Sequence, residues 1–210
     1  NTSSGDVTIV SSTFSSNTSQ KNGGAIRNDG TLTLVSSTLS GNLAAESGGG
    51  LVNTTTVTNQ VNVFFGADPT YAPAEATLIA STITNNTASN TNTEGGGGGI
   101  ANFGNVSVGN SIVAGNSTNN TDANDTQASF TIDTGTNNAS GQPIIFTPTG
   151  TFTSEGNNLV GSGDDLSGFN GTQDHTNVSD PGLDSLANNG GFTETLALQS
   201  DSPALNAGNN

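Results

Sequence analysis

Two stretches of the chain, VTIVSSTFSSN at residues 7–17 and LTLVSSTLSGN at residues 32–42, decide the fold. Both carry apolar residues at the same three positions and asparagine at a fourth, and the same spacing returns twice more further along the chain. The aligned sets are Val7, Ile9, Phe14 and Asn17; Leu32, Leu34, Leu39 and Asn42; Ala76, Leu78, Ile83 and Asn86; and Val106, Val108, Val113 and Asn116. A disordered low-complexity chain has no reason to keep apolar residues in phase, so a repeat structure is favoured.

The spacing inside each repeat is that of β-strands. The first two apolar residues are two positions apart, which places both side chains on one face of a strand. A glycine-led motif follows in three repeats: GGAIRN at 23–28, GGLVN at 49–53 and GGIAN at 98–102. Short strands separated by glycine turns, with about 22–30 residues per repeat, are typical of the coils of a parallel β-helix. We therefore predict an all-β solenoid in which Leu34 lies inside, stacked between Ile9 and Leu78.

The recurrent asparagines are predicted to be structural. Amides stacked at strand spacing can form hydrogen bonds along the stack, and asparagine tolerates the left-handed conformation expected at a coil corner. The glycine pairs would supply positive φ at the sharp turns. The predicted ladder residues are Asn28, Asn53, Asn102, Asn17, Asn42, Asn86 and Asn116.

The organisation along the chain is predicted to be one β-helix domain over residues 1–210. Residues 57–75 and 117–153 are predicted insertions, the second with a hairpin from Phe130 to Phe152, and residues 162–210 form an irregular C-terminal portion. Only six residues precede the first repeat, too few for a cap, so we expect an open N-terminal end. An open strand edge favours end-to-end self-association, and copies joined head to tail would form a filament.

Composition and charge exclude several classes of protein. Asn, Thr, Ser and Gly number 30, 32, 25 and 29 of 210 residues, which leaves few long helices possible. The formal net charge is −15, and Lys21 and Arg27 are the only Lys and Arg residues. Because binding to nucleic acid requires Lys and Arg to neutralise the phosphates, nucleic acid is excluded as a partner. The sequence contains no run of about 18 apolar residues, so we predict no membrane-spanning helix. The absence of cysteine excludes disulfides and thiolate metal sites.

Four motifs in the second half of the chain resemble a known family. They are NSIVAGN (110–116), GNNLVG (156–161), DPGLDSLANNGGFTETLAL (180–198) and SPALNAG (202–208). Their order resembles that of bacterial secreted, right-handed parallel β-helix repeat proteins with a pectin-lyase-like fold, found in long surface proteins with variable C-terminal anchors. The glycine-led repeats are also similar to those of polymorphic outer-membrane adhesins. The resemblance implies a right-handed β-helix at the cell surface or outside the cell, without a settled catalytic activity. Family members usually continue past the last motif, so we expect a processed form or a piece of a longer protein.

Polysaccharide lyases and hydrolases of the same fold make a carbohydrate-active enzyme the alternative function. A lyase needs basic groups for its acidic substrate, and a net negative charge repels such a substrate. A hydrolase needs two cooperating carboxylates, but Asp164 and Asp165 are adjacent, and neighbours in a strand face opposite ways. His175 is the only histidine and has no serine or cysteine nucleophile motif around it. We predict no catalytic residues, and a structural or adhesive surface subunit with surface glycans as candidate partners.

Calcium is the one cofactor that the sequence leaves open. DANDT (122–126) and GSGDDLSG (161–168) offer the oxygen ligands that calcium prefers. Neither stretch matches the EF-hand loop or the calcium-binding nonapeptide repeat. Acidic surface loops explain both stretches equally well, so no ligand residues are assigned.

Overall fold

The computed structural model describes residues 1–2, 4–59, 70–89, 96–119, 125–128, 132–137, 143–146, 149–163 and 166–209. Over these residues every regular element is a β-strand, as the sequence predicts. The strands are β1 (Asp6–Val10), β2 (Thr13–Ser15), β3 (Thr18–Ser19), β4 (Ile26–Asn28), β5 (Thr31–Val35), β6 (Thr38–Ser40), β7 (Leu43–Ala44), β8 (Leu51–Asn53), β9 (Thr55–Asn59), β10 (Thr70–Pro73), β11 (Glu75–Ile79), β12 (Thr82–Thr84), β13 (Thr87–Ala88), β14 (Ile100–Asn102), β15 (Asn105–Gly109), β16 (Ile112–Val113), β17 (Ser117–Thr118), β18 (Thr126–Gln127), β19 (Ile132–Asn137), β20 (Pro143–Phe146), β21 (Thr151–Gly156) and β22 (Leu159–Val160).

Four parallel sheets form the walls of a parallel β-helix, which confirms the predicted fold class. Sheet A has the order β1-β5-β11-β15-β21, and sheet B has the order β2-β6-β12-β16-β22. Sheet C has the order β3-β7-β13-β17, and sheet D has the order β4-β8-β14-β18. Each of the first four coils contributes one strand to each sheet in turn, and the fifth contributes β21 to sheet A and β22 to sheet B. Strands that neighbour in a sheet therefore come from successive coils. The chain therefore winds around a single axis, and each repeat contacts only its neighbours.

The core of the solenoid is made of the predicted apolar stacks. Ile9 pairs with Leu34, and Leu34 pairs with Leu78 on its other side. Leu34 and Leu78 have no exposed surface, so the predicted register is confirmed. Burying such a side chain stabilises the fold by about 1.5–3 kcal/mol. The fully buried stack explains how a chain with so few large apolar residues forms a core.

The coil corners adopt the left-handed conformation at repeated positions. Between sheets A and B the corner residues have φ of 47–59°, and they are Ser11, Ser36, Ala80, Asn110 and Asn157. Before sheet D a glycine fills this role in each coil, at Gly23, Gly48 and Gly97. Gly23 belongs to its predicted pair, which confirms the prediction there, whereas Gly48 and Gly97 lie one residue before the pairs at 49–50 and 98–99. The ladder asparagines themselves are not in this conformation: the left-handed residues between sheets B and C stand one position before them, at Ser16, Gly41, Asn85 and Gly115.

The two inserted regions each contain an antiparallel hairpin. In the first, β9 pairs with β10 after coil two. In the second, β19 pairs with β20, and Phe130 lies outside the described residues. Phe152 belongs to the coil, because its strand β21 pairs with β15 of sheet A. The stretch 117–153 also contains β17 and β18, which pair within sheets C and D. Within the predicted insertion 117–153, the described residues therefore leave the coil only between residues 128 and 149.

The C-terminal portion closes the last coil and also covers part of the outside of sheet B, and the sequence predicted neither role. Residues 166–178 follow the last coil and take its backbone hydrogen bonds, for example from Ser154 N–H to the Gly168 carbonyl and from Val160 N–H to the His175 carbonyl. Phe169 enters the core there, with its ring 5.3 Å from that of Phe152. These residues close the C-terminal end of the solenoid.

The chain then runs back along the outside of sheet B. It forms a loose hairpin, with antiparallel bridges between Leu183 and Leu198 and between Ala187 and Thr195. Near the end of this hairpin, the Thr13 Oγ1 of coil one donates a hydrogen bond to the Glu194 carbonyl at 2.6 Å. The hairpin therefore spans the outer face of sheet B from the last coils to the first.

Candidate functional site

The first asparagine ladder connects the end of sheet D to the start of sheet A. Asn28 Nδ2 donates to Asn53 Oδ1 at 2.7 Å, and Asn53 Nδ2 donates to Asn102 Oδ1 at 3.0 Å. All three side chains are fully buried. Asn1 adds a rung that the sequence did not predict, since its Nδ2 donates to Asn28 Oδ1 at 2.9 Å. Residues 28–30 and 102–104 share the pattern Asn-x-Gly, but three residues instead of one separate Asn1 from Gly5. Because of this longer spacing, the pattern did not identify Asn1 as a rung.

The second ladder lies between sheets B and C. Asn17, Asn42 and Asn86 each donate Nδ2 to the Oδ1 of the next rung, at 2.8–2.9 Å, and the chain of bonds continues through Asn116. Each backbone N–H donates to the same oxygen as well. Asn116 Nδ2 finally donates to Asp125 Oδ1 at 2.8 Å. The ladder has a direction, because every amide donates towards the C-terminal end and the last acceptor is a carboxylate, which has no proton to give.

A third ladder, of serines, was missed by the sequence analysis. The backbone N–H of each rung donates to the side-chain oxygen of the next, at 3.0–3.2 Å. The rungs are Ser12, Ser37, Ser81, Ser111, Asn158 and Asp174. This ladder also ends on a carboxylate. Its signal was present, because a serine stands two residues before the inward apolar residue of sheet B in four repeats.

Asp125 is the most unusual ionisable group among the described residues. It is buried, with Oδ1 accepting from the N–H and Nδ2 of Asn116 and Oδ2 accepting from the N–H of Ser162. Burial raises the pKa of the Asp125 carboxyl above its ordinary value, and the hydrogen bonds oppose that rise without cancelling it. The carboxylate is thus used for structure, as the end of a ladder.

Calcium binding gains no site among the described residues. Asp125 is the one acidic residue of DANDT that is described, and its oxygens are taken by the ladder and Ser162. Asp122, Asp164 and Asp165 lie outside the described residues. No group of three or more Asp, Glu or His side chains comes together in the part of the chain that is described.

The two cations and the histidine are not brought together. Arg27 is half-exposed on the outer face of sheet D, as predicted for an outward residue, and its guanidinium lies 2.9 Å from the Asp29 carboxylate. Burial would raise the Asp29 pKa, but hydrogen bonds from Arg27 and Thr54 lower it overall. His175 is exposed, and its backbone pairs with Leu159 at the closed end. Lys21 is exposed in the turn before Gly23.

Sheet A carries a row of outward side chains that keep the same chemistry from coil to coil. The middle position of its five strands always carries a hydroxyl, in a row set by the strand register. The row consists of Thr8, Thr33, Thr77, Ser107 and Thr153. Neighbouring hydroxyls in this row stand about 4.8 Å apart along the axis. Acidic groups lie beside the row, and Glu155 Oε1 accepts from the Ser107 hydroxyl at 3.0 Å.

No family model, curated protein or solved structure matches this chain. The stacked parallel sheets define the class of protein, a parallel β-helix. No helix in the described part of the chain has the length and apolar character needed to cross a bilayer.

Proposed function

We propose that this chain is a structural or adhesive β-helix component of a cell-surface or extracellular assembly, and that it has no catalytic activity. The use of its polar side chains carries the proposal. Those that repeat between coils bind one another within the walls, in ladders whose inner rungs are buried. Those that repeat on the outside form the hydroxyl row of sheet A. A row of hydroxyl groups on a sheet is suited to contact with a surface, whereas catalysis on a glycan requires converging acid and base groups.

The candidate partners are surface glycans, bound along sheet A. Hydroxyl side chains both donate and accept hydrogen bonds, so a row of them can satisfy the hydroxyls of a sugar chain laid across the strands. Resemblance of the sequence motifs to bacterial surface β-helix proteins supports the same role and the same location.

The test measures adsorption and turnover on the same materials. The purified chain is incubated with insoluble neutral and acidic polysaccharides, with and without calcium, and both retained protein and released sugar are measured. We expect retention without release. The double variant Thr33→Val with Thr77→Val should lose retention, while Thr18→Val, an exposed position on sheet C, should keep it. Sugar release that co-purifies with the chain would instead favour the carbohydrate-active enzyme.

The closed C-terminal end changes the expected mode of assembly. A head-to-tail filament needs an open strand edge at both ends, but residues 166–178 occupy the C-terminal edge. We therefore propose that end-to-end self-association excludes the C-terminal edge of the last coil. Sedimentation with and without chelator tests this point, since growth into long polymers would contradict it.

A further inference from the structure

The outer face of sheet B changes its chemistry along the solenoid. The strand register sets one outward column, which runs from coil one to coil five as Thr13, Thr38, Thr82, Ile112 and Leu159. A second outward column lies two positions further along each strand and begins with Ser15, Ser40 and Thr84. Between the two columns, Leu39 and Ile83 belong to the core. The face is therefore lined with hydroxyl groups over coils one to three, whereas its first column is apolar over coils four and five.

The hydroxyl part of this face is covered, although it has the same chemistry as the row of sheet A. Thr38, Ser40 and Thr84 keep only 5%, 6% and 1% of their surface exposed, whereas every member of the sheet A row is at least partly exposed. The segment outside them is the C-terminal hairpin, residues 183–198, which accepts a hydrogen bond from Thr13. Burying a polar group costs free energy, so a face that is always covered is better served by apolar side chains. The covered hydroxyls therefore indicate a face that is also exposed to water for part of the time.

The base of the hairpin is firmly attached to the apolar end of the face. Leu198, at the base, shares a cavity with Ile112 and Leu159 of the first column. The segment that follows the hairpin is fixed to coils four and five by hydrogen bonds with two corner residues, Asn110 and Asn157. The base can therefore serve as an anchor while the rest of the hairpin moves.

The arms of the hairpin, residues 184–197, hold to each other more than to the coils. Ala187 and Thr195 exchange two backbone hydrogen bonds at 2.9–3.0 Å, whereas among the described residues one hydrogen bond joins the arms to the coils. Successive side chains alternate between the two faces of a hairpin, so Leu186 and Leu196 lie on the face opposite Ala187 and Thr195. The two leucines are partly buried, and Ala187 and Thr195 are exposed. The leucine face is therefore the one that contacts the coils.

We propose that the arms are a displaceable cover, and that the hydroxyl columns of sheet B beneath them are a second glycan-binding face. When the arms move away from sheet B, Thr38, Ser40 and Thr82 offer the same donors and acceptors as the row of sheet A. The occupant is a neutral polysaccharide, because the net charge of −15 repels an acidic one. This inference rests on the proposed binding of glycans by rows of hydroxyl groups.

The closed form predominates in the free chain, because opening exposes Leu186 and Leu196 to water. A glycan that binds only the open form shifts the population towards it. The apparent affinity of the covered face is lower than its intrinsic affinity by the fraction of molecules that are open. Retention by the parent chain therefore depends on sheet A, and the covered face contributes once the arms are released.

Thiol labelling measures the opening of the arms. The chain contains no cysteine, so a single introduced thiol reports the exposure of a chosen position. Thr38→Cys lies beneath the arms, Thr33→Cys lies in the row of sheet A, and Val113→Cys lies in the core with no exposed surface. We expect Thr38→Cys to react at least about tenfold more slowly than Thr33→Cys and at least about tenfold faster than Val113→Cys, since local opening needs less free energy than unfolding of the coils.

A variant of the arms tests the leucine contact. Leu186→Asp with Leu196→Asp removes the apolar contact and should speed the labelling of Thr38→Cys by about tenfold or more. The matched control, Ala187→Asp with Thr195→Asp, adds the same two charges on the exposed face and should change the rate by less than about twofold. The rate for Val113→Cys should stay the same in both, which shows that the coils remain folded.

Retention on an insoluble neutral polysaccharide tests the binding face. Both double variants are placed in the background of Thr33→Val with Thr77→Val, which removes hydroxyls from sheet A. Release of the arms by Leu186→Asp with Leu196→Asp should restore retention to at least about half of the parent value, because the covered face is then open in most molecules. The control on the exposed face of the hairpin should not restore it.

Three results would overturn the inference. They are a Thr38→Cys rate no faster than that of Val113→Cys, equal Thr38→Cys rates in the arm variant and its control, and faster labelling without restored retention. If the parent is retained and release of the arms restores nothing, the second face is refuted and the role of sheet A stands. If neither the parent nor any variant is retained, the proposed function fails together with the second face.

Discussion

Replacing Asn53 by aspartate tests the ladder directly. Asn53 is fully buried, accepts from Asn28, and donates Nδ2 towards Asn102 Oδ1 and the carbonyls of Ala74 and Asn105 at 3.0–3.1 Å. Aspartate keeps the acceptor and turns the donor into a second oxygen, which faces three oxygens. Each buried polar group left without a partner costs about 1–3 kcal/mol, and a buried unpaired charge costs about 3–5 kcal/mol. We expect Asn53→Asp to lose about 3–5 kcal/mol of unfolding free energy at neutral pH.

The pH dependence of this loss distinguishes charge from shape. Burial disfavours the ionised form, so the pKa of the introduced carboxyl is raised in the folded state above its unfolded value. The deficit is therefore largest above the folded pKa and shrinks as pH falls through it, because the protonated acid regains a donor. The assay is urea unfolding at several pH values, with the parent measured alongside.

A matched control is available on the exposed hairpin. Asn188 uses its Oδ1 to accept from Gly190 N–H at 2.9 Å, and aspartate can make the same bond. Asn188→Asp should therefore change the unfolding free energy by less than about 0.5 kcal/mol. If both substitutions prove equally mild, or if the Asn53→Asp deficit is independent of pH, the ladder does not stabilise the fold as argued.

Three further substitutions follow from the core, the ladder end and a corner. Leu34→Ala should cost about 2–5 kcal/mol in urea unfolding, whereas Leu43→Ala, at a partly exposed position, should cost less than about 1 kcal/mol; similar losses would contradict the stacked core. Burial raises the pKa of Asp125 in the folded state above the ordinary value of 3.8. The unfolding free energy of the parent should therefore fall relative to that of Asp125→Asn as the pH rises from 3.8 to the folded pKa. A difference in unfolding free energy that does not change over this pH range would contradict the raised pKa. Gly48→Ala should cost more than about 1 kcal/mol, because φ is +67° and its Cβ would lie 2.5 Å from the Leu51 carbonyl; Gly191→Ala, with its nearest neighbour at 3.6 Å, is the control, and thermal melting of both measures the contrast.

The period of the coils could be predicted because it depends on the pattern of apolar residues along each strand. The inward positions of the strands are apolar in every coil, so Leu34 and Leu78 could be placed in one column from their spacing alone. The asparagine rungs were found for the same reason, since a buried amide must meet another at the same height. The serine ladder escaped because serine is also common on exposed strand faces. Only the register shows that Ser37 and Ser81 face one another.

The sequence by itself determined the winding of this chain: which residues turn inward and which amides stack. These properties depend on contacts between residues one coil apart, and the same residue pattern recurs in every repeat. Only the tertiary structure decided how the ends are finished. Residues 166–178 close one end, the hairpin reaches back to Thr13, and Asn1 joins a ladder at the other end. Each of these contacts occurs once, between segments that share no period. The free energy of such a contact depends on which surfaces the folded coils have already brought within reach, and no repetition in the sequence records it.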